Sequence, residues 1–523
     1  MNKKQKKYNL LLLSPKQKYI NYPAHSELSK IFGKKRFMVP LALPTIAALT
    51  PDNYNIKIID EEIEKIPHNF KPDLVGITTL GATINRAYEL CDKYKKEGIP
   101  VVLGGPYASF MVEEVLQHAS SVVIGEAEGV WETCLNDFEK GNLQKKYKAE
   151  KTCEYKTIKL PRWDLVSTNK IFQVGVQISR GCPFNCDFCL VSKIFGRKMR
   201  YREINNVIAE IKSLPTKYVF FVDDNLTMNK EYILELMKHL KPLRISWGCM
   251  ASIDVANDDV LLRKMASAGC FNILVGFESL NPSSLDETNK EHNKGGSIYH
   301  EAIEKIHAAG MHVNASLIVG FDHDNLDEFD KIYEFAKETH MPNINLHILA
   351  CPPGTELQKN MIEKGRLYKP NNDLAIGLFP CMHYQNMSQI DIFDKYMETV
   401  EKLYDFENLR EKANYLFGKG YFSQPGADIS FFLKIRVSAI ILKEFVFTSD
   451  KSKKALFYDL FKLVKQKKTT IDRAAAFLLS MLGYHRHIQE HKRNLNEYRK
   501  IVLSYDKGAW KDIVKKNINK ENE

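Results

Sequence analysis

Cys182, Cys186 and Cys189 stand in the run C-P-F-N-C-D-F-C (182–189), three thiols within eight residues. Thiolates this close together in a reducing compartment bind metal. A structural zinc site asks for a fourth thiolate or imidazole nearby. The next cysteines, Cys249 and Cys270, lie far along the chain. Three thiolates suit instead a [4Fe-4S] cluster whose fourth iron stays open to an external ligand.

The elements that would carry this loop can be read on both sides of it. Apolar runs at 8–13, 54–59, 73–78, 100–103 and 121–124 predict five strands, with helical stretches such as 84–96 and 111–118 between them. Alternation of this kind makes a parallel, doubly wound α/β sheet over 1–150. Ligands of such sheets sit beyond the carboxyl ends of the strands. That edge carries Ser14, Thr78-Thr79, Gly104-Gly105 and Gly125-Glu126, and small residues admit a bulky ligand to the backbone. The Lys- and Tyr-rich stretch from 141, ending in Pro161-Arg162-Trp163, predicts an inter-domain linker at 151–170. A second series follows at 173–178, 218–222, 244–249, 272–277, 313–318 and 343–348. Six strands with helices between them predict a (β/α)6 partial barrel over 171–375, with active residues at the strand C-termini. From 376 to 523 helical periodicity takes over.

The cysteine spacing, with Phe188 just before the last thiol, resembles the signature of the radical S-adenosylmethionine (SAM) enzymes. Further motifs fall where that family has its SAM contacts. F-F-V-D-D-N (220–225) occupies the place that meets the SAM amino group, which implies roles for Asp223, Asp224 and Asn225. V-G-F-E-S (275–279) supplies Glu278 for the ribose, and L-I-V-G-F (317–321) places the backbone of Val319 and Gly320 against adenine. C-P-P-G-T (351–355) resembles the turn after the last strand in related members. Relatives often end the third strand with an Arg for the SAM carboxylate; Ser252 stands near that place here, and the contact stays open.

The first domain, with V-V-L-G-G-P-Y (101–107) and V-V-I-G-E-A-E (122–128), resembles the cobalamin-binding domain of class B radical SAM enzymes. The resemblance implies that Gly104, Gly105, Tyr107, Gly125 and Glu126 border cobalamin. The D-x-H-x-x-G motif, whose His ligates cobalt, is absent. Many members of the class lack it and still hold cobalamin; a domain that binds none is the other reading. The implied activity is reductive SAM cleavage at the cluster, followed by C-methylation of an unactivated carbon. A one-electron donor such as flavodoxin or ferredoxin would serve it. Ring closure or C–C bond formation shares the first half-reaction, and no residue separates the two. A non-catalytic iron–sulfur protein would not need the Asp223 and Glu278 positions.

Composition narrows the classes further. With 523 residues, two or three domains are expected. At 44 % apolar and 27 % charged residues the chain is an ordinary globular protein. No apolar run reaches the ~18–20 residues that span a bilayer. The opening M-N-K-K-Q-K-K precedes only a short apolar run, which reads as a first strand and not a signal peptide, so the expected location is cytoplasmic. The net charge of +11 is uneven: residues 431–523 hold 21 Lys and Arg against 10 Asp and Glu, and the rest cancels. Two readings follow, a solvated helical surface or a peripheral contact with an anionic membrane by an enzyme of a lipid or other hydrophobic substrate. Within this segment 456–465 alternates apolar residues with Lys as an amphipathic helix does, and no base-reading motif occurs, so no nucleic acid is expected. An RNA methylthiotransferase would carry three more clustered cysteines and a terminal β-barrel. Cys91, Cys134, Cys153, Cys249 and Cys270 are expected to be packed or ordinary thiols and His347 a core histidine; Cys351, Cys381 and His383 follow the last strand.

Overall fold

The computed structural model of the chain describes residues 7–19, 23–290, 293, 297–368, 377–422 and 431–504. The expected boundary at 375 and the tail residues 505–523 lie outside them. The chain forms two compact units, one of residues 1–20, 38–215 and 350–376, the other of 21–37, 216–349 and 377–523.

In the first unit six strands make a parallel sheet: β1 (Tyr8–Ser14), β2 (Tyr54–Asp60), β3 (Leu74–Thr78), β4 (Val101–Gly104), β5 (Ser121–Ile124) and β6 (Lys146–Lys148). Their order is β2-β1-β3-β4-β5-β6. A sheet covered on both faces needs strands that are apolar throughout, and β1 meets this with four consecutive leucines. Leu11 and Leu13 pack with Val75, Ile77 and Leu103 on one face. Leu10 and Leu12 pack with Tyr54, Val102 and Trp131 on the other. The order reverses between β1 and β3, and the crevice beyond their carboxyl ends is the usual ligand position in such sheets.

The sixth strand was not expected, because β6 has three residues and no period to show. It is held by Tyr147, which is buried and donates its hydroxyl to Asp137 at 2.9 Å. Residues 151–170 run through three single 3-10 turns, at Tyr155–Thr157, Trp163–Leu165 and Thr168–Lys170. They are tied down, not loose. Trp163 packs against Val39, Ile63, Ile171 and Val174 and donates its indole N–H to Glu210 at 2.8 Å. After them come β7 (Val174–Val176), β8 (Ser179–Arg180) and β9 (Arg200–Tyr201).

The second unit holds β10 (Tyr218–Phe221), β11 (Ser246–Ala251), β12 (Cys270–Glu278), β13 (His312–Val319) and β14 (Asn343–Ile348). They pair in chain order, all parallel. Helices Lys230–Leu240, Asp259–Ser267, Ser297–Ala308 and Asp327–Glu338 lie between them in sequence. Side chains alternate in burial along these strands. Trp247, Ile273, Val275 and Phe277 are fully buried, and Phe277 meets Tyr299 and Phe335 of two of the helices edge-on at 4.7 and 6.2 Å. The other face presents Phe220, Met250, Leu274, Ser316, Ile318 and His347, all half-buried. This is the open inner face of a second parallel sheet.

The C-terminal part is helical, as expected: Gln389–Leu403, Phe406–Gly418, Phe431–Ile441, Lys451–Lys465, Ile471–Arg493 and Leu495–Leu503. Ser388, Asp405, Asp450 and Thr470 accept backbone N–H groups at four of the helix starts. Tyr404 joins the helices to the sheet, donating its hydroxyl to Ile344 O at 2.7 Å while its ring stacks on Tyr484 at 4.4 Å. No helix among the described residues is long and apolar enough to cross a membrane.

Candidate functional site

The three predicted metal ligands sit on one loop of the first unit, between β8 and β9. The two short strands pair antiparallel, Ser179 with Tyr201 and Arg180 with Arg200, and close the loop at its base. Gly181 then turns the chain at φ +96°, where a Cβ would lie 2.4 Å from Lys198 O, so no other residue fits. The Cys182 N–H donates to Gly196 O at 3.2 Å and the Cys189 N–H to Cys186 O at 3.1 Å. The Leu357 N–H, just beyond the C-P-P-G-T turn, donates to Asp187 O at 3.0 Å. Cys182, Cys186 and Cys189 form no disulfide and are all half-buried, and Phe188 is half-buried beside them.

Among the described residues no three His, Cys, Asp or Glu side chains converge on the position of a single ion. A cluster does not ask for that. Each of its cysteines binds a different iron, so three thiols spread along one fixed loop fit it.

The same unit carries the glycine-lined edge. Gly105 has φ +108°, and a Cβ there would lie 2.4 Å from Thr79 O; at Gly125, φ +76°, an added Cβ meets nothing within 4 Å. Ser109 fixes the edge, its hydroxyl donating to Gly105 O and accepting from the Gly125 N–H, both at 2.9 Å. The missing side chain leaves open backbone at Gly125, where a large planar ligand can approach, while the space at Gly105 is filled by Thr79 and at Gly104 a Cβ would meet Val123 at 3.7 Å.

Two expected residues of that edge have other work. Tyr107 is 3 % exposed, lies in the hydrophobic cluster under the sheet, and donates its hydroxyl to Glu114 at 3.2 Å. It is a core residue. Glu126 is buried, and both of its carboxylate oxygens are occupied. Arg180 donates to it at 3.1 Å, Arg200 donates to each oxygen at 2.9 Å, and the Cys153 N–H donates at 3.0 Å. Burial alone would push this carboxyl up; the Arg200 hydrogen bonds, the Arg180 charge and the Cys153 N–H outweigh it and hold it below its usual range. Arg180 also pairs with Glu128 at 2.6 Å and lies over the Tyr155 ring at 4.5 Å. Glu126 is therefore a clamp on the two arginines that form the base of the cysteine loop. Cys153, expected to be an ordinary thiol, belongs to this network, with Arg200 3.6 Å from its sulfur.

In the second unit the remaining residues gather at the carboxyl ends of β10 to β13. Asp223 is fully buried and Asp224 half-buried, its carboxyl pushed up to about 6 by burial. Asn225 donates its side-chain amide to the Ser252 hydroxyl, and its Oδ1 accepts the Ser252 N–H at 3.3 Å. Ser252 thus meets a neighbouring strand end. Glu278 takes a left-handed backbone, φ +63°, at an irregularity of β12. A non-glycine residue there costs ~1–3 kcal/mol. Its carboxylate folds back over Gly276, where a Cβ would lie 2.3 Å from Oε1, and Lys290 pairs with it at 2.5 Å. The Val319 carbonyl accepts from the Leu349 N–H at 2.9 Å, and the Gly320 N–H donates to Asp324 at 2.9 Å. Both groups thus hydrogen-bond within the fold, and Gly320, at φ +125°, is packed closely, since a Cβ there would lie 2.7 Å from the Tyr384 ring.

The leftover residues behave as packed groups. Cys249 and Cys270 are buried beside each other, the Cys270 thiol donates to Asn272 O at 3.7 Å, and burial drives the Cys249 thiol well up. His347 is the exception: it lies on the half-buried inner face of the second sheet and not in the core, and desolvation there lowers its imidazole to about 4. Cys381 is buried with its sulfur 3.8 Å from Leu349 O, and Cys351 is buried in the other unit. Arg180, Arg200, Lys290 and Asp324 were missed by sequence reasoning. Only Arg180, directly before Gly181-Cys182, carried a local signal.

Comparison with known proteins agrees with this geometry. The Radical SAM superfamily profile matches residues 176–336 and the B12 binding domain profile residues 36–135. The bacteriochlorophyllide d C-8(2)-methyltransferase of Chlorobaculum tepidum is 31 % identical over 346 residues, 62 % of this chain and 76 % of that protein. The hopanoid C-2 methylase of Rhodopseudomonas palustris is 24 % identical over 401 residues, 74 % of this chain and 75 % of that one. Among solved structures, the cobalamin-dependent S-adenosylmethionine radical enzyme OxsB, with aqua-cobalamin and S-adenosylmethionine bound, superposes with a TM-score of 0.58 at 14 % identity, covering 96 % of this chain and 84 % of that one. At that identity the likeness is one of fold.

Proposed function

The chain belongs to the radical SAM superfamily and joins a B12-binding domain to it, and on that footing we propose that it is a cobalamin-dependent radical C-methyltransferase of a hydrophobic small molecule. The observation that carries this reading is the pairing, within one unit, of a three-thiol loop with a glycine-lined sheet edge. The substrate class is supported by the relatives above, whose names place methyl groups on bacteriochlorophyllide d and on hopanoids.

Cys182, Cys186 and Cys189 would hold a [4Fe-4S] cluster and leave one iron for SAM, with Phe188 beside it. Gly104, Gly105 and Gly125 would receive the corrin. When bound, the cluster supplies one electron to SAM and cobalamin supplies a methyl group. The chain's own residues position and shield. Asp224 and Asn225 would take the SAM amino group, Asp223 would support them from the core, Glu278, fixed by Lys290, would take the ribose, and the backbone of Val319 and Gly320 would face adenine. The half-buried inner face of the second sheet would keep water from the reacting carbon.

Anaerobic reconstitution with iron, sulfide and hydroxocobalamin, followed by turnover with SAM, dithionite and an apolar metabolite extract, tests this reading. Methyl transfer yields 5′-deoxyadenosine and sustained S-adenosylhomocysteine, one SAM being spent on each. Ring closure yields 5′-deoxyadenosine alone, and a chain that retains no cobalamin in equilibrium dialysis is not a methyltransferase of this kind.

Asp224 makes the SAM contact testable by pH. Its carboxyl titrates near 6 in the folded chain, above its ordinary value. The folded state therefore binds that proton more tightly, and this contribution to stability fades as pH rises through about 6. The ionised form is the one that accepts an N–H from the SAM amino group most strongly. SAM affinity should fall as pH drops through about 6, and Asp224→Asn should bind weakly with no step there. Calorimetric titration across this range checks both; an unchanged step in the variant assigns it to another group.

A further inference from the structure

The helix Phe431–Ile441 has an inner side, with Val437 and Ile441 buried. Its outer side is also apolar. Phe431 is 71 % exposed, Phe432 82 % and Ile435 52 %; in the turn that follows, Leu442 is 44 % and Phe447 79 %. At 3.6 residues per turn Phe431, Ile435 and Leu442 fall on one stripe with Phe432 at its edge. A surface helix ordinarily turns polar residues outward. A contiguous apolar stripe in solvent marks a contact surface.

The charge of the chain segment that carries the stripe selects the partner. Residues 431–468 hold ten Lys and Arg against three Asp and Glu. Lys443, Lys462, Lys465, Lys467 and Lys468 are exposed. A second copy of the chain on this stripe would bring two strongly basic surfaces together, which repel. An anionic lipid surface answers both features: cations meet headgroups, and phenylalanines enter the acyl boundary. No described helix can span a bilayer, so the contact is peripheral. We propose that the helix Phe431–Ile441 and the turn after it dock this chain on an anionic bilayer, with Phe431, Phe432 and Ile435 inserted and the exposed lysines of the same segment, 443–468, on the headgroups. This goes beyond the methyltransferase reading and does not rest on it, since docking needs neither cluster nor corrin.

Co-sedimentation of the full chain with phosphatidylcholine vesicles, with and without phosphatidylglycerol, tests the proposal. Binding is expected only to the phosphatidylglycerol vesicles, and it should weaken as salt rises. The triple variant Phe431→Ser, Phe432→Ser, Ile435→Ser alters exposed side chains only and should melt like the parent. Its binding should drop at least ~10-fold, since each buried Phe is worth more than that. Lys462→Glu, Lys465→Glu, Lys467→Glu and Lys468→Glu together should abolish the preference for phosphatidylglycerol. Equal binding to both vesicle types, or none to either, overturns the proposal. So does a dimer in sedimentation velocity that the triple serine variant converts to monomer, which would give the stripe to a second copy.

Discussion

Alanine at Cys182, Cys186 or Cys189 is expected to strip the iron from the chain and reduce 5′-deoxyadenosine formation with dithionite to background. The chain should stay folded. All three thiols are half-buried on a loop, and replacements at such places usually change stability by less than ~0.5 kcal/mol. The loop's shape rests on other groups: Gly181 at φ +96°, the β8–β9 pair and the Leu357 N–H. Iron analysis, product assay and thermal melting on the same preparations separate loss of ligand from loss of fold. A triple alanine variant that still cleaves SAM would remove the cluster assignment.

The second large effect belongs to a residue that touches no reactant. Glu126→Ala should destabilise the chain by ~3–5 kcal/mol, the range for breaking one side of a buried charge pair. It leaves Arg180 and Arg200 inside the protein with a carboxylate missing between them. Because these arginines face each other across the base of the cysteine loop, iron retention should fall although every cysteine is present. That readout would not move if Glu126 only bordered a corrin. The pH dependence has a definite sign. Glu126 is held below its usual range when folded, so its stabilisation is present above the ordinary carboxylate value of ~4.3. It is lost as pH falls through the folded value. Urea unfolding from pH ~6 down to ~2, which spans the window below the ordinary carboxylate value, should show this loss in the parent and a flatter profile in Glu126→Gln. Equal profiles would place the clamp's energy elsewhere.

The sequence by itself determined whatever rests on near neighbours. Four consecutive leucines in a short run that ends at Ser14-Pro15 suit a strand covered on both faces, and β1 is that. Three thiols within eight residues stay together however the rest folds. Strand ends could be read from the place where apolar runs meet Asp, Gly or Glu, and this put Asp223, Glu278 and Gly320 at carboxyl ends of parallel strands. The tertiary structure decided where individual side chains point and what they meet. Tyr107 and Glu126 lie at the expected edge in sequence, yet one turns under the sheet and the other meets Arg200, 74 residues away. Glu278 acquires Lys290 only because its backbone goes left-handed and Gly276 leaves room for the carboxylate to fold back. The outward phenylalanines of the helix Phe431–Ile441 could not be told from core residues by composition, since that helix is apolar on both sides. Spacing is a local property of the chain. A carboxylate's partner, or the side of a helix that meets water, depends on groups that sequence distance does not bring together, and burial makes those pairings strong enough to fix the site.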